Sequence, residues 1–297
     1  MPIHLTSRRQ FIAQLGAAAA FSRSAASATE VDESLIAILN DTHIGAQHPE
    51  RSPVPTHLRE TVSYLAGLQN RPVAVIINGD LALNDGQPGD YTHFAKLIEP
   101  LREAGISVHL TMGNHDNRDV FYDVLKQEKH RDSPVESKHV GVVQTAHANL
   151  FLLDSLKAPS VAQGLLGHEQ HEWLAKILDA HPEKPALVFA HHNPRLGGEE
   201  KHFPGGLEDS QPLWDILISR KNVKAYVHGH IHHRNFFHHD GIHIVNTPAT
   251  SFVANPKEST TGWTMAKLSA TGGSFTTHTH LTDHEWNGIK VDLKWRR

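Results

Sequence analysis

The chain has 297 residues, enough for one large domain, and its 39% hydrophobic content is ordinary for a globular protein. A net charge of −4 provides no broad basic surface for nucleic acid, and the absence of cysteine excludes disulfides and thiolate metal ligands. No apolar stretch reaches about 18 residues without a charge, so we expect no integral membrane span and no stable membrane association. The unusual count is 26 histidines.

The first 28 residues are typical of a targeting segment. The stretch SRRQFI at residues 7–12 resembles the twin-arginine export signal of bacteria, an alanine-rich apolar stretch follows, and residues 26–28 (ASA) offer a small-residue cleavage pattern. We therefore expect residues 1–28 to be a signal peptide, residues 29–297 to be one mature domain, and the protein to be periplasmic or secreted. The alternatives are an amphipathic first helix of the fold and an uncleaved anchor.

Strands and helices are predicted to alternate in the first half of the mature chain. Continuous apolar runs predict buried strands at 35–39 and 73–77, the first of them buried on both faces, and a third strand is predicted at 107–112. Helical spacing predicts helices at 56–68 and from Tyr91 to Leu101, and a further helix from Val120. This βαβαβ order predicts right-handed crossovers and a mainly parallel core.

The second half continues with short elements. We expect strands at 140–143, 149–153, 186–190 and 223–227, with helices at 169–178 and 213–218, and we expect 242–245 and 263–268 to be strands of a second sheet. The segment 193–206 has two Gly-Gly pairs and two prolines, and is long enough to flank or cover a site. The tail from about Thr271 is polar and receives no role.

Polar side chains follow five of the predicted strands. Open α/β sheets bind ligands at the carboxyl ends of their strands. Oxygen and imidazole ligands without thiolates suit Mn, Fe(II), Zn, Co or Ni. A spacing of two residues places paired side chains on one side of an extended segment. The five strand-end groups are Asp41-Thr42-His43, Gly79-Asp80, Gly113-Asn114-His115-Asp116, His191-His192 and Gly229-His230-Ile231-His232.

Each group also has a structural explanation when it is taken alone. Asp-Thr-His is commonly a capped turn, Gly-Asp is common in loops, and Asp116 is suited to capping the next helix. Among the other histidines we expect His192, His228 and His233 to be structural. We expect solvated side chains at His4, His238, His239, His278, His280 and His284.

The ordered set D-x-H, G-D, G-N-H-D, H and G-H-x-H, spread over residues 35–250, resembles the calcineurin-like metallophosphoesterase superfamily. The resemblance implies an α/β fold, a four-layer α-β-β-α sandwich of two mixed sheets flanked by helices, with its site at the strand ends. It also implies two divalent metal ions, Mn, Fe, Zn or Co. The implied ligands of the first ion are Asp41, His43, Asp80 and His232, and those of the second are Asp80, Asn114, His191 and His230. We prefer His191 to His192 because it comes directly off the strand.

The implied chemistry is two-metal hydrolysis of a small-molecule phosphoester. His115 resembles the family's histidine outside the ligand set, which stabilises developing charge or protonates the leaving oxygen, and Asp116 is expected to orient it. Leu83 stands where purple acid phosphatases carry a ligand tyrosine. The stretches 79–82 and 153–155 look closer to the cyclic nucleotide and glycerophosphodiester phosphodiesterase branch.

The sequence therefore predicts an exported binuclear-metal phosphoesterase that most readily takes phosphodiesters. The alternatives left open are a phosphomonoesterase of the same fold and a catalytically inactive, metal-dependent binding module. A nuclease is disfavoured by the acidic charge and by the lack of a basic stripe.

Overall fold

The structure is a computed structural model that describes residues 30–129, 133–196 and 205–297. The predicted signal peptide, with His4, lies outside the described residues, and so does the part of the 193–206 segment between 197 and 204. In the described helices we find none that combines the length and apolarity needed to cross a membrane.

The described residues form twelve strands and five α-helices. The strands are β1 (Glu30–Leu39), β2 (Asn70–Asn78), β3 (Ser107–Thr111), β4 (Gly141–Gln144), β5 (Asn149–Leu152), β6 (Ala186–Phe189), β7 (Val223–His228), β8 (Asn235–His239), β9 (Ile242–Asn246), β10 (Gly262–Leu268), β11 (Gly272–Thr279) and β12 (Lys290–Lys294). The helices are α1 (Val54–Ala66), α2 (Pro88–Glu103), α3 (Arg118–Val124), α4 (His168–Ala180) and α5 (Ser210–Ile218).

The strands divide into two six-stranded sheets. The first has the order β12-β11-β10-β1-β2-β3, and its β1-β2-β3 part is parallel, as the βαβαβ pattern predicts. The second has the order β4-β5-β6-β7-β9-β8, with parallel pairing from β5 to β9 and an antiparallel strand at each edge. Both sheets are therefore mixed.

Apolar side chains on both faces of each sheet create four layers. Between the sheets, Ile36 and Ile76 of the first pack in one cluster with Leu187 and Val227 of the second. On the outer face of the first sheet, residues of α1 and α2 bury a second cluster, and α4 and α5 do the same on the second sheet. This arrangement confirms the predicted α-β-β-α sandwich and leaves the strand ends free to carry polar groups.

One prediction about the later elements was wrong, and three strands were not predicted. The strands β9 and β10 do not share a sheet, because β10 returns to the free edge of β1 and pairs antiparallel with it. The polar tail, to which the sequence analysis gave no role, forms β11 and β12, which extend the first sheet beyond β10. The edge strand β8 was missed because its sequence NFFHH lacks an alternating apolar pattern.

Two of the histidines expected in solvent are half-buried. The ring of His280 stacks on that of His57 with centroids 4.2 Å apart, and the ring of His278 stacks on Trp263 at 5.2 Å. These four aromatic rings therefore pack beside α1 and β10 and help to fill the outer layer.

Candidate metal centre

The carboxyl ends of strands from both sheets meet at one place. One potential ligand atom from each of Asp41, His43, Asp80 and His232 lies within 4.8 Å of the others. A second group with the same spacing consists of Asp80, His191 and His230. Asp80 belongs to both groups, so the structure brings six of the seven predicted ligands into two adjoining clusters that share one carboxylate.

The backbone reaches this arrangement through left-handed bends. Five predicted ligands have positive φ, between 46° and 68°. They are Asp41, His43, Asp80, His230 and His232. The interpretation of paired side chains on extended segments was therefore wrong, although the pairs do converge. A left-handed non-glycine residue costs about 1–3 kcal/mol, and such residues concentrate at functional sites.

Gly113 permits the closest approach between two of these strand ends. A Cβ atom placed on it would lie 2.2 Å from Asp80 Oδ1 and 2.4 Å from the Asp80 backbone nitrogen. Because one of these atoms belongs to the main chain, no side-chain rotation can relieve the clash. The close packing of the β2 and β3 ends around Asp80 therefore requires glycine here.

We expect Gly113→Ala to lower kcat/KM about 10²-fold, because displacing a catalytic group by about 1 Å has an effect of this size. The check is phosphoester turnover together with the melting temperature. Gly141→Ala is the matched control, because a Cβ at Gly141 meets nothing within 4 Å. Equal activity of the two variants would show that the approach of Gly113 to Asp80 does not matter.

Each carboxylate at the centre uses one oxygen to fix its position. Asp41 Oδ2 accepts hydrogen bonds from Asn40 Nδ2 at 2.7 Å and from the His230 N–H at 3.1 Å. Asp80 Oδ1 accepts a hydrogen bond from the His115 N–H at 2.8 Å. The other oxygens face imidazoles, with Asp41 Oδ1 lying 3.1 Å from His232 Nε2 and Asp80 Oδ2 lying 3.1 Å from His191 Nε2.

Asn40 was not among the predicted site residues, although it orients Asp41. Besides its bond to Asp41, its Nδ2 donates to the Pro248 carbonyl at 3.0 Å, and its Oδ1 accepts a hydrogen bond from the Thr247 hydroxyl. The signal that was available is its position as the first polar residue after the buried end of β1.

Main-chain carbonyls fix the orientation of two of the imidazoles. His191 Nδ1 lies 2.9 Å from the Asn78 carbonyl oxygen, and His43 Nδ1 lies 3.3 Å from that of Leu83. Because a carbonyl only accepts, Nδ1 carries the proton in both rings, and the lone pair of the neutral form is on Nε2, which faces the clusters. This tautomer is the one needed for metal ligation through Nε2.

The charges at the centre favour ligation as well. Burial alone would raise the pKa of Asp80, but His191 and His43 hold it well below the usual value, so the carboxylate is ionised. Burial alone would lower the pKa of His191, but Asp80 and Asp41 raise it to about 9. A cation must displace that proton, so its affinity should rise with pH.

Asn114 Oδ1 is buried without a hydrogen bond from the residues that the structure describes. Asp41 Oδ1 and His191 Nε2 are buried too, and each lies 3.1 Å from an atom of another predicted ligand, His232 and Asp80 respectively. A buried polar group left without a partner costs about 1–3 kcal/mol, so the site is arranged to bind something other than protein. Carboxylate and amide oxygens combined with imidazole nitrogens suit Mn, Fe, Zn or Co, and the residues therefore fit divalent metal ions.

His115 lies beside the clusters without belonging to either. Its Nδ1 lies 2.7 Å from the Asn84 carbonyl oxygen, and its ring centroid is 5.0 Å from that of His43. The carbonyl again fixes the proton on Nδ1, so Nε2 is the nitrogen left for a ligand. The side chain lines a cavity of about 830 Å³ that opens from the centre.

Asp116 does not orient His115, which corrects that prediction. Its buried carboxylate accepts hydrogen bonds from the N–H groups of Leu81 (3.2 Å), Ala82 (3.1 Å) and Gly113 (2.9 Å). Both oxygens are engaged in joining the loop after β2 to the loop after β3. Asp116 therefore supports the positions of Asp80 and Asn114, while the ring of His115 is held by Asn84. Asn117, and not Asp116, caps the following helix.

Two of the three neighbouring histidines predicted to be structural are so, whereas His233 is exposed and lines the cavity. His192 is fully buried, with Nδ1 2.7 Å from the Ser155 hydroxyl oxygen, and His228 is fully buried beneath the centre. Neither belongs to a ligand cluster among the described residues. The described end of the 193–206 segment does flank the site, because His230 Nε2 lies 3.1 Å from the Gly205 carbonyl oxygen.

Comparisons with known proteins agree with this geometry. A calcineurin-like phosphoesterase family model matches residues 34–234. The 3′,5′-cyclic adenosine monophosphate phosphodiesterase CpdA of Vibrio vulnificus is 32% identical over 205 residues, covering 67% of this chain and 71% of that protein. The glycerophosphodiester phosphodiesterase GpdQ of Enterobacter lignolyticus is 28% identical over 220 residues, covering 73% and 77%.

A solved structure shows the same fold at much lower identity. A dimetal phosphatase from Danio rerio aligns with a TM-score of 0.66 and 13% identity, covering 88% of this chain and 99% of that one. The match of the family model spans most of the described chain and includes all five strand-end groups. The chain therefore belongs to the calcineurin-like phosphoesterase family.

Proposed function

We propose that this metal-dependent phosphoesterase hydrolyses phosphodiesters at a centre of two divalent ions. The observation that carries the proposal is the presence of Asp80 in both ligand clusters, because a shared carboxylate is what a binuclear centre requires. Two bound cations supply a water of lowered pKa and neutralise the charge on the phosphoryl oxygens.

The residues divide into two ligand sets that meet at Asp80. Asp41, His43 and His232 would complete the first set. His191 and His230 would complete the second together with Asn114, whose buried Oδ1 lacks a hydrogen bond within the described residues. One amide in place of a further carboxylate limits the negative charge that an incoming phosphate meets.

His115 is the residue suited to the leaving group. Its Nδ1–H is directed to Asn84, so only Nε2 can contact the substrate. In the imidazolium form, Nε2–H donates to the ester oxygen and transfers its proton as the P–O bond breaks. Such general acid catalysis contributes about 10²–10⁴-fold.

Two observations favour a diester over a monoester. The relatives from Vibrio vulnificus and Enterobacter lignolyticus are named as phosphodiesterases, one of cyclic adenosine monophosphate and the other of glycerophosphodiesters. The cavity of about 830 Å³ also provides space for an ester arm beyond the phosphate. Leu83 occupies the position of the tyrosine ligand implied for purple acid phosphatases, which favours a centre without that ligand.

We further propose that the protein is exported and acts on external phosphoesters. The support is the twin-arginine-like stretch at residues 7–12 with the apolar segment after it. Expression of the full chain in a bacterium with a functional twin-arginine pathway should yield a periplasmic product that begins near residue 29. A product of full length that stays in the cytoplasm would contradict export.

Turnover of bis(p-nitrophenyl) phosphate and p-nitrophenyl phosphate in Mn²⁺ tests the diester assignment. We expect the larger kcat/KM on the diester and loss of turnover after chelation, because the ligand clusters supply no nucleophile of their own. Recovery on adding Mn²⁺ back is the control for irreversible unfolding. Turnover of the monoester with none of the diester would reject the proposed preference for diesters.

A further inference from the structure

One wall of the cavity is formed by a loop that is tied to the metal centre. The loop, residues 247–261, joins β9 to β10. The Thr250 N–H donates to the Asn40 carbonyl at 2.7 Å, and the Asn40 N–H donates to the Thr250 hydroxyl at 3.1 Å. These bonds fix the base of the loop to the strand end that carries Asp41, so the next residues are held over the centre.

Phe252 stands two residues after Thr250, and it is exposed. It lines the cavity and is 40% exposed, which is unusual for a phenylalanine. Its ring centroid lies 5.1 Å from that of His43 and 5.6 Å from that of His232, edge to face in both cases. An aromatic ring therefore lies beside whatever is attached to a phosphate at the centre.

The charge of the cavity wall is the second observation. None of the described residues that line the cavity is a lysine or an arginine. The carboxylates among these described residues are those of Asp80, which belongs to the ligand clusters, and Glu258, which lies on the same loop as Phe252 and is exposed. Among the described lining residues, an ester arm bearing another phosphate would meet no lysine or arginine, and it would meet the carboxylate of Glu258. An arm bearing a positive charge would meet that carboxylate and an aromatic ring.

We propose that the wall formed by Phe252 and Glu258 binds a cationic ester arm, so that the preferred substrates are phosphodiesters of amino or quaternary ammonium alcohols. Aromatic rings attract such cations electrostatically, and a carboxylate adds to the attraction. This inference rests on the proposed phosphodiesterase function. It adds to that function the chemical class of the ester arm that the cavity prefers.

The test compares two substrates that differ in charge and hardly in shape. They are p-nitrophenylphosphorylcholine and the p-nitrophenyl phosphodiester of 3,3-dimethylbutanol, in which carbon replaces the quaternary nitrogen. We expect kcat/KM to be about five- to tenfold higher for the choline ester. A ratio near one, or a preference for the neutral ester, would overturn the inference.

Variants of the wall assign the preference to its residues. Glu258→Gln and Phe252→Leu should each reduce the choline preference about two- to fivefold. Glu285→Gln is the matched control, because Glu285 is also exposed but does not line the cavity. A preference that Glu258→Gln leaves unchanged would overturn the assignment, as would a better turnover of p-nitrophenyl thymidine 5′-phosphate, which would indicate a nucleoside arm.

The two proposals fail in different ways. If bis(p-nitrophenyl) phosphate is not hydrolysed in the presence of metal, the phosphodiesterase proposal fails. If it is hydrolysed, and the choline ester is not preferred to its neutral analogue, only the inference about the arm fails.

Discussion

Replacing Asp80 by asparagine is expected to lower kcat/KM for bis(p-nitrophenyl) phosphate by about 10³-fold or more. Asp80 is the one residue in both ligand clusters, and its two oxygens face different partners, the His115 N–H at 2.8 Å and His191 Nε2 at 3.1 Å. Asparagine keeps the size of the side chain but replaces one oxygen by an NH₂ group, which does not bind a cation. Loss of several kcal/mol of charge stabilisation corresponds to a rate loss of this size.

The metal content of the Asp80 variant separates this explanation from a folding defect. We expect fewer bound ions per chain and an unchanged far-UV circular dichroism spectrum. Asp292→Asn is the matched control, because it makes the same chemical change at an exposed residue of the edge strand β12. Wild-type turnover with two bound ions in Asp80→Asn would contradict the bridging role.

Replacing His115 by alanine is expected to lower kcat by about 10²–10⁴-fold while both ions stay bound. His115 lies 5.0 Å from His43 between ring centroids but belongs to neither cluster, so its removal leaves the ligand sets complete. A retained metal content with lost turnover would separate His115 from the ligands.

The leaving group provides the sharper readout for His115. An alkyl alkoxide needs a proton more than p-nitrophenolate does, so the loss should be larger for a substrate with an alkyl leaving group. His238→Ala on the exposed edge strand is the control for removal of an imidazole. A loss of the same size for both leaving groups would contradict proton donation by His115.

Much of the centre was predictable because its residues follow buried strands. The runs that become β6 and the C-terminal parts of β1 and β2 are continuously apolar, and a carboxylate or imidazole that follows such a run lies at the sheet edge. The ordered set of five groups then indicated which edge residues act together. The sequence therefore contained the identity of the cluster residues and their approximate place in the fold.

The local geometry was not predictable by the same reasoning. Asp41 and His43 converge with His232 through left-handed backbone, with φ of 52°, 46° and 49°, and not through alternation along an extended strand. Such conformations are imposed by the surrounding tertiary structure, since an isolated aspartate or histidine favours other regions of backbone space.

Contacts between distant segments were also invisible in the sequence. Asp116 follows His115 directly, yet its carboxylate joins the N–H groups of Leu81 and Ala82, about 35 residues away. Phe252 reaches the centre only because β10 pairs with β1 and the preceding loop is tied to Asn40. An apolar residue in a long polar loop carries no local signal of such a position.

The most direct test of the binuclear centre is anomalous diffraction from crystals of the protein loaded with Mn²⁺. We predict two anomalous peaks about 3.5–4 Å apart, one on each side of the Asp80 carboxylate. A single peak, or a pair of peaks that does not share Asp80, would contradict the account.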